Sequence, residues 1–127
     1  VRPFETYLGD INLFAVFDNE DNVSNMTPNF DAVSKLDGQG LIISSSSNQY
    51  DFVSRYFCPK YGINEDPVTG SAHTTLIPYW SEKLNKISLT AKQVSKRGGE
   101  LFCENTENRV LIGGNAVLYM KGVIEID

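Results

Sequence analysis

The chain has 127 residues, enough for one hydrophobic core, and we expect a single domain over residues 1–127. A hydrophobic fraction of 41% excludes intrinsic disorder, and a net charge of −5 argues against a nucleic-acid partner because phosphate binding requires clustered Lys and Arg. The chain has no run of about 18 apolar residues to span a membrane. Because residues 1–5 also lack a signal-peptide pattern, we expect a cytoplasmic protein with no membrane partner.

The first half of the chain predicts short strands separated by polar turns. An acidic turn at residues 18–22 ends the first strand, and a polar loop explains the serine run at residues 44–47. The last strand of this half alternates with period two, which places Phe52 and Tyr56 on one face and Arg55 on the other. Strands are predicted at residues 11–17, 41–43 and 50–57, and a short helix at residues 31–36.

The second half predicts one substantial helix followed by a meander of antiparallel strands. The helix pattern runs from residue 72 to residue 84, and its apolar stripe consists of Ala72, Leu76, Ile77, Trp80 and Leu84. Pro78 lies inside this pattern, so the helix either kinks there or begins there. Strands are predicted at residues 87–94, 100–103, 109–112, 116–120 and 123–126. Strands, one helix and then a meander indicate an α+β fold.

The cysteines and the single histidine limit the chemistry that the chain can carry. Cys58 and Cys103 are far apart in sequence and form no CxxC motif, so they cannot build a zinc site with one His. They are either one disulfide or two free thiols in a reducing compartment, and the second alternative is the simpler one.

The loop from Gly62 to His73 combines features that suit a small anionic ligand. Pro67 favours an extended backbone at Asp66, Gly70 permits a positive φ and close approach of a ligand, and Ser71 is a good N-cap for the following helix. Free N–H groups at a helix N-terminus favour a carboxylate or phosphate, and Asp66 could move a proton at a neighbouring carbon. In the structural alternative, Asp66 only shapes a turn and Gly70 and Ser71 only begin a helix.

Two further residues have both a functional and a structural interpretation. His73 is expected in the first turn of the helix, where the helix dipole disfavours its charged form, and a structural role is the stronger alternative. Arg55 either points at the loop, where it would neutralise Asp66 or the ligand, or lies on the surface as an ordinary solvated charge.

Several motifs in fixed order resemble the PhzF-like family of phenazine biosynthesis. They are Asp51-Phe52-Val53-Ser54-Arg55, Gly62-Ile63-x-Glu65-Asp66-Pro67-Val68-Thr69-Gly70-Ser71-Ala72-His73, Pro78-Tyr79-Trp80, Gln93-x-Ser95-x-Arg97-Gly98-Gly99 and Arg109-Val110 with Gly113. The resemblance implies one lobe of a diaminopimelate-epimerase-like fold, with mostly antiparallel strands around a central helix at about residues 71–84. It also implies a cofactor-independent and metal-independent isomerase whose site lies between two lobes.

By position, the resemblance makes Asp66 the catalytic acidic residue of this lobe. Gly70 and Ser71 match the substrate-binding turn, and Thr69, Arg55 and His73 complete the candidate substrate-binding set. The implied substrate is a small carboxylate, similar to dihydro-hydroxyanthranilate or to an amino acid. The corresponding position in related epimerases is a Cys, so a thiol mechanism is disfavoured in this chain.

The length of the chain departs from the family pattern. The family's N-terminal lobe carries the principal acid/base Glu, and this chain has no room for that lobe. Glu65 cannot replace that residue, because it belongs to the motif of the present lobe. We therefore expect a lobe that is inactive alone and that pairs with the missing lobe or self-associates through the interlobe face, the surface that the missing lobe would cover. The alternative is a non-catalytic module that binds small carboxylates or self-associates.

Overall fold

The computed structural model describes residues 1–126, which form a mixed sheet of eight strands with helices on both faces. The strands are β1 Glu5–Leu8, β2 Asn12–Val16, β3 Gly40–Ser46, β4 Phe52–Phe57, β5 Glu65–Asp66, β6 Ser88–Gln93, β7 Gly99–Asn105 and β8 Val110–Gly113. The helices are α1 Glu20–Ser24, α2 Phe30–Ser34 and α3 Gly70–Leu84, with a 3-10 turn at Pro59–Tyr61.

The strand order is β1-β2-β3-β4-β6-β7-β8, and the short strand β5 pairs with β4. The β2–β3 and β4–β6 pairs are parallel, and the remaining five pairs are antiparallel. Helix α3 forms the crossover between the parallel strands β4 and β6. The predicted α+β class is therefore confirmed, as is the mostly antiparallel sheet around one long helix.

The period-two alternation of β4 builds two hydrophobic cores, one on each face of the sheet. Phe52 and Tyr56 pack on the α3 side, whereas Val53 and Phe57 pack on the side of α1 and α2. Phe52 is fully buried, and its ring stacks on Trp80 with the centroids 5.8 Å apart. The central position of β4 explains why apolar residues occupy both of its faces.

Helix α3 ends at Leu84, as predicted, and buries four of the five residues of the predicted stripe, but it begins before the predicted residue 72. It begins at Gly70 with Thr69 as N-cap, so Ser71 lies inside the first turn and is not the cap. It continues through Pro78, which excludes a start at that residue. Leu84, the last residue of the helix and of the stripe, is 36% exposed and lies outside the core.

Several other predicted strand and turn boundaries differ from those of the structure. Residues 44–46 extend β3 because β4 pairs with them, and the acidic turn at 18–22 includes the start of α1, capped by Asn19. Strand β1 was missed because most of its residues are exposed. Residues 116–120 and 123–126 form no strand, because no neighbouring strand pairs with them within residues 1–126.

Both thiols are buried and free, so the disulfide alternative is not realised. Burial raises the pKa of Cys103 to about 11, which keeps this thiol protonated at neutral pH. Across residues 1–126, no helix combines the length and apolar character that crossing a membrane requires.

Candidate functional site

A groove of about 520 Å³ opens between the β1–β2 connection and the first turns of α3. Most of its lining residues have polar or reactive side chains, among them Asp10, Asn12, Tyr56, Cys58, Asp66, Thr69 and Ser71. The groove therefore contains three of the predicted site residues, namely Asp66, Thr69 and Ser71.

The pairing of β5 with β4 explains how Asp66 reaches the groove. Asp66 is opposite Tyr56, and Glu65 is opposite Phe57. Because successive side chains of a strand point to opposite faces, Asp66 lies on the α3 side of the sheet and Glu65 on the other side. Two adjacent carboxylates in the sequence are thus separated by the sheet, and only Asp66 lines the groove.

Burial controls the protonation of Tyr56 and Cys58, two of the titratable side chains on the groove wall. Burial raises the pKa of Tyr56 to about 12, and its hydroxyl donates a 2.9 Å hydrogen bond to Asn12 Oδ1. Burial, and then the nearby charge of Asp66, raise the pKa of the Cys58 thiol. Neither group is a proton acceptor at neutral pH, so Asp66 is the stronger candidate base among these residues.

The Tyr56 ring has room only because residue 40 is a glycine. A Cβ at Gly40 would collide with the Tyr56 phenol ring and hydroxyl. Gly40 therefore leaves room for the Tyr56 ring, which lines the groove.

The two residues that begin α3 face different spaces. Ser71 lines the groove, whereas Gly70 lines a separate shallow cavity beside Arg97 and Gly98. Gly70 does not use a positive φ, contrary to the sequence prediction. A Cβ at Gly70 would meet nothing within 4 Å, so the backbone at the start of the helix is open to a ligand. The first N–H groups of a helix have no partner inside the helix and are free to bind an anion.

The turn between Asp66 and Thr69 is fixed by Gln93, a residue to which the sequence prediction assigned no role. Gln93 is fully buried at the end of β6 and forms hydrogen bonds with the backbone of both residues. Ser95 supports the same turn, because its hydroxyl donates to the Pro67 carbonyl over 2.7 Å. The Gln-x-Ser motif was visible in the sequence, but nothing in the sequence indicated which loop it contacts.

His73 does not line the groove, although the sequence prediction includes it in the substrate-binding set. Its ring is fully buried and packs near Phe52, with the centroids 5.9 Å apart. Nδ1 lies 2.8 Å from the Thr69 carbonyl oxygen, which can only accept, so Nδ1 carries the hydrogen. Burial lowers the pKa of His73, and the histidine is neutral in the folded protein.

We expect His73 to make the protein less stable as the pH falls below about 6.5, the ordinary pKa of a histidine. The unfolded chain binds more protons there than the folded chain, so the free energy of unfolding decreases by at most about 1.4 kcal/mol per pH unit. His73→Asn keeps a donor for the Thr69 carbonyl and removes this titration. Urea unfolding at pH 7.5 and 5.5 measures the difference, and an equal slope in both proteins would contradict the assignment.

Arg55 is directed away from Asp66 and forms an ion pair with Glu65, which corrects the sequence prediction. Arg55 Nε and Nη2 donate to the two Glu65 oxygens over 2.7 and 2.9 Å. Arg55 Nη1 donates to the carbonyl oxygens of Val23 and Met26, which fixes the end of α1. Arg55 therefore connects β4, β5 and α1 on the face of the sheet opposite the groove.

Arg55→Lys is expected to lower the free energy of unfolding by about 1.5–3 kcal/mol, because Lys cannot form the bidentate pair and the carbonyl contacts together. Lys86→Ala provides a control, since it removes an ion pair to Asp51 whose lysine side chain is 50% exposed. The control should cost less than about 1 kcal/mol. Urea denaturation compares the two, and equal losses would show that Arg55 is an ordinary surface charge.

Among residues 1–126, no group of three or more His, Cys, Asp or Glu side chains is arranged to hold a metal ion. The groove offers two carboxylates, those of Asp10 and Asp66, several hydroxyl groups and a helix N-terminus.

The architecture is a single lobe of the diaminopimelate-epimerase-like fold, with the groove at the start of its long helix. The family model described as phenazine biosynthesis-like protein matches residues 5–122. The chain therefore belongs to the phenazine biosynthesis-like family.

Known relatives agree with this assignment. The chain is 49% identical to an uncharacterized isomerase of Pseudomonas aeruginosa, over 90% of the chain and 44% of that protein. A crystal structure of a PhzF-family protein from Enterococcus faecalis superposes with a TM-score of 0.89 at 54% identity, over 95% of the chain and 46% of that structure. A crystal structure of a PhzC/PhzF protein from Clostridium difficile superposes with a TM-score of 0.88 at 47% identity. The match covers 99% of the chain and 49% of that structure. The chain thus spans about half the length of these relatives.

Proposed function

We propose that the chain is one lobe of a cofactor-independent isomerase that moves a proton on a small carboxylate. The observation that carries this proposal is the position of Asp66 in a groove beside the N-terminus of α3. Family membership supports it, because relatives in the same family are named isomerases. The proposed substrate class comprises dihydro-hydroxyanthranilate-like and amino-acid-like carboxylates.

In the proposed step, the free N–H groups at the start of α3 hold the carboxylate of the substrate. The positive end of the helix dipole favours the negative charge that grows on this carboxylate when the neighbouring carbon loses a proton. Asp66 accepts that proton and returns it, or passes it on, at a different position. Ser71 lines the same groove and supplies a hydroxyl group to orient the substrate, whereas the Thr69 hydroxyl contacts Asp66.

A complete site requires a second acid/base group on the opposite side of the substrate, and we propose that a second lobe supplies it. The exposure of residues 117–126 supports the proposal of a second lobe, because the large apolar side chains of this segment are 77–99% exposed. These residues are Val117, Leu118, Tyr119, Met120, Val123, Ile124 and Ile126. An apolar surface of this kind is typical of an interface.

The partner can be tested with the part of the Pseudomonas relative that lies outside its matched 44%. We expect the two polypeptides to form a 1:1 complex in light scattering. Ile124→Asp should weaken the complex, whereas Asn108→Asp, at another exposed position, should not. Self-association of the chain with no binding of the second polypeptide would instead favour a homo-oligomer through this face.

The isomerase proposal itself is tested by proton exchange in the assembled complex. Small carboxylates of both substrate classes are incubated in D₂O, and deuterium at the carbon next to the carboxylate is measured by mass spectrometry. We expect incorporation with the complex and none with either polypeptide alone. A stable complex that binds these carboxylates without exchange would indicate the alternative, a non-catalytic carboxylate-binding module.

A further inference from the structure

Gln93 directs its whole side-chain amide at one turn of the chain. Its Oε1 accepts from the Thr69 N–H over 2.7 Å, and its Nε2 donates to the Asp66 carbonyl over 2.6 Å and to Thr69 Oγ1 over 3.1 Å. The side chain is fully buried, so no water competes for these groups. The orientation of the amide is determined, because rotation by 180° would place N–H against N–H and oxygen against oxygen.

This orientation also determines the direction of the next hydrogen bond. Nε2 of Gln93 is only a donor, so Thr69 Oγ1 is the acceptor in that contact. The hydrogen of the Thr69 hydroxyl is therefore free to point to Asp66 Oδ2, which lies 2.5 Å away. Asp66 Oδ1 has no hydrogen-bond partner among residues 1–126 and belongs to a side chain that lines the groove.

The Thr69 backbone is held from a second direction as well. His73 donates to the Thr69 carbonyl, and both Gln93 and His73 are fully buried. The hydroxyl that contacts Asp66 thus belongs to a residue whose N–H and carbonyl are both fixed by side chains of the core.

We propose that Gln93 is a positioning residue that acts through Thr69 to present one oxygen of Asp66, Oδ1, to the substrate. The proposal rests on the proposed function for its catalytic consequence. Without the Gln93 contact, the Thr69 hydroxyl could rotate away, and the Asp66 carboxylate would sample several rotamers. A base that is misplaced by about 1 Å can lose on the order of 10²-fold in rate.

Two pairs of variants test this chain of contacts. Thr69→Val removes the hydroxyl at nearly constant volume, and Thr69→Ser keeps it. Gln93→Met removes the amide at similar length, and Gln93→Glu keeps an acceptor but replaces the NH₂ donor. Three-bond couplings measured by NMR report the χ1 rotamer of Asp66 in the chain itself, and deuterium exchange in the assembled complex reports activity.

We expect a single Asp66 rotamer in the wild type and in Thr69→Ser, and averaged couplings in Thr69→Val, Gln93→Met and Gln93→Glu. In the variants with averaged couplings, exchange should fall at least tenfold in kcat with little change in KM. A single Asp66 rotamer in Thr69→Val would overturn the proposal, as would a Ser variant that behaves like the Val variant.

The design separates this proposal from the proposed function. If the wild-type complex catalyses no exchange, the isomerase proposal fails, but the Asp66 couplings still decide the positioning role. If Gln93→Met does not fold, Gln93→Glu still tests the Gln93 donor, and the Thr69 pair tests the contact between the Thr69 hydroxyl and Asp66. Wild-type activity with unchanged couplings in every variant would reject the positioning role alone.

Discussion

Asp66→Asn is expected to reduce deuterium exchange in the assembled complex by about 10²–10⁴-fold, the usual contribution of a positioned acid or base. Asn keeps the size of the side chain and still accepts from the Thr69 hydroxyl, so the turn should remain intact. The amide cannot accept a proton at neutral pH. We therefore expect the loss in kcat, with KM for the carboxylate nearly unchanged because α3 still holds the substrate.

The neighbouring carboxylate gives a matched control for this experiment. Glu65→Gln changes the adjacent residue in the same way, but Glu65 pairs with Arg55 on the other face of the sheet. We expect this control to lose stability and to retain its exchange rate under conditions where it is folded. Equal loss of exchange in both variants, or full exchange in Asp66→Asn, would remove Asp66 from the mechanism.

Phe52→Ala is expected to lower the free energy of unfolding by about 3–5 kcal/mol, which is the largest stability effect that we predict for a single substitution. Phe52 is fully buried between α3 and the sheet, where its ring stacks on Trp80 and lies close to His73. Removing the ring leaves a cavity that these rigid neighbours cannot fill. The loss is a large part of the total stability of a domain of this size.

Phe102→Ala serves as the comparison, because Phe102 also lies on a strand but is 50% exposed. Its removal should cost about 1 kcal/mol, since much of the ring is already in water. Urea denaturation followed by tryptophan fluorescence measures both variants through Trp80. Similar losses in the two variants would mean that the core is not organised around Phe52.

The fold class, and the candidate residues Asp66, Thr69 and Ser71 that share the groove, could be predicted because local patterns carry them. The alternation of β4, the stripe of α3 and the continuous motif around Asp66 each lie within about fifteen consecutive residues. Such a periodicity predicts the structure well, because it reflects which face of a helix or strand is buried. The order of the predicted elements indicated the α+β class, and the family resemblance added the diaminopimelate-epimerase-like lobe.

The remaining features depend on contacts between distant residues, which one sequence does not display. Arg55 pairs with Glu65 and not with Asp66 because the register of β5 against β4 decides which carboxylate shares its face. Gln93 supports a turn that precedes it by more than twenty residues. Residues 116–126 have strand-like composition, but composition cannot provide the hydrogen-bonding neighbour that a strand requires.

The crossover from β4 through α3 to β6 has a consequence for the order in which the protein folds. The turn at Asp66 lies before α3 in the chain, and the side chain that fixes it, Gln93, lies after α3 at the end of β6. Closing this loop requires the helix to dock and β6 to pair with β4 first, and such non-local steps are slow and late. The groove is therefore a product of the completed tertiary structure, and a partly folded chain that already contains its hairpins would still lack a usable site.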